Sequence, residues 1–582
     1  MSGACNVERS VLGQPWRWRR QGGDELGRSL TDQLLLARGV PEADLERHRD
    51  PRIRDFLPDP SEFADMDKAA ARLADAVDAK ETIAIFGDYD VDGATSAALL
   101  TLLLRRLGVE PMIYIPDRLM EGYGPSGAAL VALRQRGASL AVTVDCGAQA
   151  FEALGAAAEA GLDVIVCDHH QCSTEHPASA AFINPNRLDE SETGAAHGHV
   201  AAVGMAFVLG VALLRELRRR GRFANGNAEP SVIDLLDIVA LGTVADVARL
   251  KTLNRAFVTQ GLKVMANRRN IGLAALADAA RLTKPPSARD LGFALGPRIN
   301  AGGRVGKSDL GVRLLTATDP EEARAIAAEL DRLNEERRAI EQAVTDAALE
   351  QAQGCGDPLV LVSGRGWHAG VVGIVASRLK ERFGRPAIVI GEDGDGVGKG
   401  SGRSISGVDL GAAVLAAKHS GLLVAGGGHA MAAGLTVAPG GVEALRAYLI
   451  DRLAKDVDAA RGGKALTLDA SLAPGGVTGT LCDELEGGGP YGAGWPSPRV
   501  AAGPARLLKV GIVGNGHVRG IAAGDDGKSF RWIAFRSAET PLGQALLSAA
   551  PDRRWWLAGS VRRDEWQGGN AAEMHVEDAA PA

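Results

Sequence analysis

The stretch that most constrains this chain is Ile83–Gly93, IAIFGDYDVDG. Four apolar residues, Ile83 to Phe86, stop at Gly87 and give way to Asp88, Asp90 and Asp92. A short apolar run bounded by Gly predicts a buried strand. Extended geometry sends alternate side chains the same way, so the three carboxylates are expected to converge. Acids so close repel one another unless a cation neutralises them, and hard divalent ions prefer oxygen ligands. A turn rich in Asp and Gly between a strand and a helix would carry the same letters, and this stretch alone leaves both readings open.

From Glu81 onward, short aliphatic runs alternate with helical stretches. Strands are expected at Ile83–Phe86, Met112–Pro116, Leu140–Gly147, Asp163–His170 and Ala180–Pro185, with helices such as Ala94–Leu107 and Phe151–Ala160 between them. That alternation predicts an α/β domain, a parallel sheet with helices on both faces. The strand ends carry the chemistry: Asp88, Asp90 and Asp92 at the first, Asp145 at the third, and Asp168, His169 and His170 at the fourth. Sites in open parallel sheets lie at the carboxyl ends of strands, so these groups are expected on one rim. Asp246 lies in the apolar segment Val239–Val247, where a lone acid is usually a cap or turn residue.

Residues 1–80 read as a helical N-terminal segment and 81–318 as the parallel-sheet domain. The latter ends in the Gly-rich FALGPRINAGGRVG, where Arg298 and Arg304 suit either phosphate contact or a structural loop. Asp319, Pro320 and Glu322 then mark a helix start. Ile326, Leu330, Leu333, Arg337, Ile340 and Val344 continue a stripe at steps of three and four, so 319–355 is expected to be one long connecting helix. A smaller α/β domain follows over 356–460, with Gly-rich turns expected at Gly398–Ser404 and Gly426–Gly434. The second is expected to open a helix, whose free N–H groups bind anions, with His429 adding a donor. Short strands over 464–578 predict a small β-barrel. Trp532, Phe535, Trp555, Trp556 and Trp566 interleave there with arginines, the composition either of a base-stacking surface or of an aromatic core. The final EDAAPA reads as a frayed tail.

The formal charge of −7 argues against a nucleic-acid partner on its face, but metal-bound carboxylates would change the working charge of a site. The basic clusters Trp16–Arg20, Arg215–Arg222 and Arg562–Trp566 read as solvated faces. Six scattered cysteines, no apolar run of membrane length and no signal peptide in Met1–Ser10 predict a cytoplasmic protein away from membranes.

Taken in order, DYDVDG, EGYG at Glu121–Gly124, DCG at Asp145–Gly147, DHH at Asp168–His170, NPN at Asn184–Asn186 and GTVADV at Gly242–Val247 resemble the DHH phosphoesterase superfamily. WHAGVVGIVASRL (Trp367–Leu379), GSGRSI (Gly400–Ile405) and GGHAMAAG (Gly427–Gly434) resemble its DHHA1 subset. PYGAGWPSP (Pro490–Pro498) resembles the OB-fold barrel of that superfamily's single-strand-specific exonucleases. The resemblance implies 5′-to-3′ hydrolysis of single-stranded DNA to mononucleotides in recombination and repair, with two Mn²⁺ or Mg²⁺ ions. It implies metal ligation by Asp90, Asp92, Asp145, His169 and Asp246, with Asp145 bridging and Asp88 in the same motif. His170 would instead face the scissile phosphate. Arg118, Arg298, Arg304, Ser401, Arg403 and His429 would lie along the DNA. It further implies a monomer working beside a single-strand-binding protein and a helicase. Asp117 stands where His is usual, Arg249 where Pro is usual and Trp495 where Asn is usual.

Oxygen-rich ligands with one or two histidines suit Mn²⁺ or Mg²⁺ better than structural Zn²⁺, and Cys167 lies in an apolar strand where a buried thiol is expected. Two rival readings are a DHH–DHHA1 phosphodiesterase of short RNAs or cyclic dinucleotides, and a scaffold that has lost catalysis. The first needs no C-terminal barrel; the second should have eroded motif acids, and all are present.

Overall fold

The computed structural model describes residues 6–19, 28–118, 121–224, 226, 228–461, 465–564 and 570–582. Arg20, Lys464 and Trp566 lie outside these. The first domain holds a five-stranded, all-parallel sheet, ordered Met112–Tyr114, Ile83–Gly87, Leu140–Val144, Asp163–Cys167, Ala181–Ile183. Alternation along the strands sorts their side chains between two cores. Ile83, Ile85, Val142, Val144 and Ile165 pack with the helices Val91–Arg106, Ala202–Arg219 and Leu236–Ala245. Ala84, Phe86, Ala141, Val164 and Val166 face the helices Gly127–Gln135 and Phe151–Glu159. Burial on both faces explains why these strands read as unbroken apolar runs. The order reverses between Ile83–Gly87 and Leu140–Val144, which places the switch point between Asp88 and Asp145.

The helix Pro320–Ala352 begins as its sequence dictates, with Asp319 Oδ1 accepting from the Glu321 amide at 3.1 Å. Ala323 to Leu333 belong to the first domain's core; Val344, Ala348 and Ala352 belong to the next domain's. Between them Arg337 donates to Asn334 Oδ1 (2.8 Å) and to Glu341, which also receives Arg378. The break in the apolar stripe is thus the handover between two cores.

The second sheet runs Ala425–His429, Ala432–Val437, Gly398–Arg403, Ala387–Glu392, Val360–Arg365. Two expectations fail here. Gly398–Arg403 is a central strand rather than a turn, and Gly426–Gly434 forms an antiparallel hairpin rather than a helix start. A glycine strand fits because its neighbours press close: a Cβ on Gly400 would meet Leu435 Cδ1 at 2.7 Å and Ile390 Cγ1 at 2.9 Å.

Five strands close the C-terminal barrel: Val500–Val513, His517–Ala523, Ser529–Ala534, Ala572–Pro581 and Arg554–Arg563, the last pairing back onto the first. The expected frayed tail is therefore a strand of the barrel. Asp578 within it is fully buried and accepts from Trp16 Nε1 (3.1 Å) and Gln14 Nε2 (3.2 Å). Trp532, Trp555 and Trp556 are buried too, so the core reading of these aromatics holds over the stacking one; Phe535 alone of the described set is exposed. The N-terminal segment is not wholly helical. Trp16–Trp18 is a strand paired in parallel with Leu466–Leu468. The basic cluster Arg215–Arg222 is neutralised by acids that include Asp59, Asp67, Asp75, Asp78 and Glu229.

Candidate metal centre and the family it belongs to

The strand Ile83–Gly87 ends before its acids, so they converge by a different route from strand alternation. Asp88 follows the strand directly and is buried. Asp90 caps the helix Val91–Arg106, accepting from the amides of Asp92 (2.9 Å) and Gly93 (3.2 Å). Asp92 sits in that helix's first turn and caps another: its oxygens accept from the amides of Ala202 (2.7 Å) and Val203 (2.9 Å). The helix Ala202–Arg219 has no side-chain cap of its own. Gly93 is required because a Cβ there would lie 2.4 Å from Asp88 O.

Asp145 follows the next strand in a left-handed conformation, φ 62°, a cost that native structures tolerate mainly at functional sites. The loop after Asp163–Cys167 is organised by Asp168. Its Oδ1 accepts from the His169 amide (2.7 Å) and His170 Nδ1 (2.8 Å), and its Oδ2 from the Ala148 amide (2.9 Å). Asn184 and Asn186 hold the same loop by donating to the His170 and His169 carbonyls. Asp246 ends the helix Leu236–Ala245.

These elements bring together three overlapping ligand groups, each with its donor atoms within 4.8 Å of one another: Asp88, Asp90 and Asp145; Asp92, His169 and Asp246; Asp145, His169 and His170. Burial, and then the neighbouring acid Asp90, push Asp88 up to about 8 and Asp246 to about 7, while Asp92 and Asp145 rise as well. Burial lowers His169 to about 4. Burial also opposes charge on His170 and Asp168, but their mutual hydrogen bond wins, leaving His170 at about 9 and Asp168 at about 2. Asp88 Oδ1 and His169 Nε2 are buried without a hydrogen-bond partner. Polar atoms are rarely left so, and a cation among them would satisfy both. Oxygen donors with one or two imidazoles fit Mn²⁺ or Mg²⁺. Cys167 is fully buried in its strand and joins none of the groups.

Beside the centre lie Arg118, Arg304 and Arg403, close enough that Arg118 adds to the burial that lowers the other two. Arg118 stacks on Tyr89, 4.8 Å from its centroid. Arg304 Nη1 donates to Gly370 O (2.8 Å) across the domain boundary, and Arg403 Nη1 bonds Ser401 Oγ (2.9 Å). Among the described residues none of the three has an acidic partner. His429 is paired with Ala432, itself paired with Arg403, which sets it on the same face two strands away, about 10 Å. Arg298 is not part of this group; it pairs with Asp331 (2.8 Å) on the connecting helix. Sequence reasoning passed over Tyr123, whose hydroxyl donates to Asp145 O (3.1 Å) and lies 3.1 Å from His170 Nδ1. Its EGYG motif was visible, but a tyrosine's reach across a loop was not.

A carboxylate and histidine rim at the switch point of a parallel sheet, facing a second α/β domain, defines a DHH-type phosphoesterase. Residues 82–243 match the DHH family N-terminal domain, 356–455 the DHHA1 domain and 468–578 the RecJ OB domain. The chain belongs to the RecJ family. It is 40% identical over 508 residues to the single-stranded-DNA-specific exonuclease RecJ of Dickeya dadantii, covering 84% of this chain and 86% of that one. It is 39% identical to the RecJ of Escherichia coli, with 84% and 86% covered. Its structure is similar to that of RecJ from Thermus thermophilus in complex with Mn²⁺, with TM-score 0.77, 29% identity, and 97% of this chain and 79% of that chain covered.

Proposed function

We propose that this chain is a metal-dependent exonuclease that degrades single-stranded DNA from its 5′ end to mononucleotides, in recombination and repair. The observation that carries the reading is the convergence of Asp88, Asp90, Asp92, Asp145, His169 and Asp246, with two orphaned ligand atoms among them. Membership of the RecJ family and a complete C-terminal barrel favour it over a small phosphodiesterase. In this reading those six residues hold two Mn²⁺ or Mg²⁺ ions, with Asp145 shared. Such ions lower the pKa of bound water and stabilise charge on a phosphate under attack. His170, its Nδ1 held by Asp168 at 2.8 Å, would face the scissile phosphate and donate a hydrogen bond to it. Asp168 fixes the ring, and Tyr123 steadies the Asp145 backbone. Arg118, Arg304 and Arg403, with Ser401, receive the 5′ end, with His429 on the same face.

We place the protein in the cytoplasm as a monomer, working beside a single-strand-binding protein and a helicase. Among the described residues no helix is long and apolar enough to cross a membrane. The test is purified protein with Mn²⁺ and end-labelled single- and double-stranded DNA of both polarities. Mononucleotides should appear from the 5′ end of the single strand alone. Asp145→Ala should lower kcat at least a thousandfold while leaving the circular-dichroism spectrum intact. Undiminished turnover in that variant would overturn the assignment of the centre.

A further inference from the structure

A polar basin of about 510 Å³ opens from the candidate centre at His169 and Asp246. Its wall is completed by Asn186, His199, Arg249 and Lys251. Arg249 and Lys251 are exposed, and among the described residues neither has a carboxylate partner. Their loop is nonetheless well held. The Arg249 carbonyl accepts from Asn254 Nδ2 (3.1 Å), the Leu250 amide donates to Ala493 O (2.8 Å), and a Cβ on Gly494 would meet Arg249 Cβ at 3.1 Å. His199 bonds Thr252 Oγ1 through Nε2 (2.9 Å), while its Nδ1 is buried with no partner.

Two cations beside a carboxylate-rich centre would form local ion pairs if neutralisation were their purpose. They remain unpaired on a fixed loop, which is the arrangement that receives an anion from outside. The basin also lies on a different part of the centre from the three arginines. Arg118 stacks on Tyr89, between Asp88 and Asp90 in the chain, and Arg304 bonds Gly370 of the second domain, whereas the basin opens from His169 and Asp246. A strand whose scissile phosphate lies at the metal centre therefore meets a cationic set on each side. Arg304 and Arg403 are partly buried and suit a chain end; the open basin suits a chain that continues.

We propose that the basin formed by Arg249, Lys251 and His199 binds the phosphodiester that follows the scissile one on its 3′ side. The inference rests on the exonuclease reading and adds a positioning subsite to it. Arg249 and Lys251 supply charge-assisted hydrogen bonds to the non-bridging oxygens, and His199, tied to Thr252, forms part of the basin wall.

The test compares kcat/KM on a 5′-phosphorylated oligonucleotide with that on the same strand bearing one neutral methylphosphonate at the linkage 3′ to the scissile phosphate. The wild type should prefer the charged linkage at least about tenfold, the lower end of what one hydrogen bond to a charged group is worth. In Arg249→Ala/Lys251→Ala that preference should fall below about twofold, and Arg249→Lys should retain most of it. A wild-type preference near one, or an undiminished preference in the double variant, would overturn the subsite. If the wild type degrades neither strand, the exonuclease reading fails. The subsite is then judged by the binding ratio of the same two oligonucleotides with Ca²⁺ in place of Mn²⁺, with the same outcomes deciding it.

Discussion

Asp92 serves two roles at once: it joins a ligand group with His169 and Asp246, and it caps a helix that begins 110 residues later. A carboxylate buried among backbone amides has its charge state tied to the packing around it. Asp237, in the first turn of the helix that delivers Asp246, gives this a measurable form. It is almost fully buried and accepts from the Ile238 amide at 2.8 Å. Burial, against the pull of that amide, raises its carboxyl to about 6. A raised folded-state pKa contributes stability below the ordinary value near 4, and that contribution is lost as pH rises through about 6. At pH 7.5 the buried charge therefore costs up to about 3 kcal/mol. Asp237→Asn keeps the acceptor and loses the charge, so its melting temperature should exceed the wild type's at pH 7.5 and match it near pH 4. An equal offset at both pH values would refute this.

At the scale of elements, the parallel strands and their rim were legible because burial on both faces leaves unbroken aliphatic runs with acids at their ends. The connecting helix was legible through its capping residues and periodicity. The glycine hairpin was not, because Gly426–Gly434 carries no side chains to declare a strand and satisfies a loop pattern equally well. The tryptophans of the barrel misled for a related reason: composition reports aromatics but not which way a strand faces. The polar interruption in the connecting helix also carries an energetic claim. Glu341 is buried and holds both Arg337 and Arg378. Removing one partner of a buried pair typically costs about 3–5 kcal/mol, more than the pair is worth against an apolar replacement. Glu341→Ala should lower hydrogen-exchange protection across 330–345 by about that much, and Arg337→Met/Glu341→Leu should restore most of it. Greater loss in the double variant would contradict this account.

At the scale of the whole molecule, one side chain gathers several of the contacts between the segment before the barrel and the first domain. Arg255, almost fully buried on the helix Thr252–Met265, donates to the carbonyls of His48 (2.9 Å), Gly488 (3.0 Å), Gly489 and Pro490 (3.2 Å). Burial holds it down at about 10, so it is cationic at neutral pH. Arg255→Ala should speed proteolysis within 486–495 at least tenfold, since each orphaned carbonyl costs about 1–3 kcal/mol. Arg255→Lys should not rescue it, because one ammonium cannot span four carbonyls. Unchanged cleavage would show that the turn is held by other means. None of this was visible in the sequence, since contacts over such separations have no local signature. The pairing of Trp16–Trp18 with Leu466–Leu468 lies at the extreme: Arg19 meets Asp469, 450 positions away. During synthesis at about 5–20 residues per second, this strand waits roughly 20–90 s for its partner. In that interval two tryptophans belong to a strand whose partner does not yet exist, so this segment is an aggregation liability of the nascent chain.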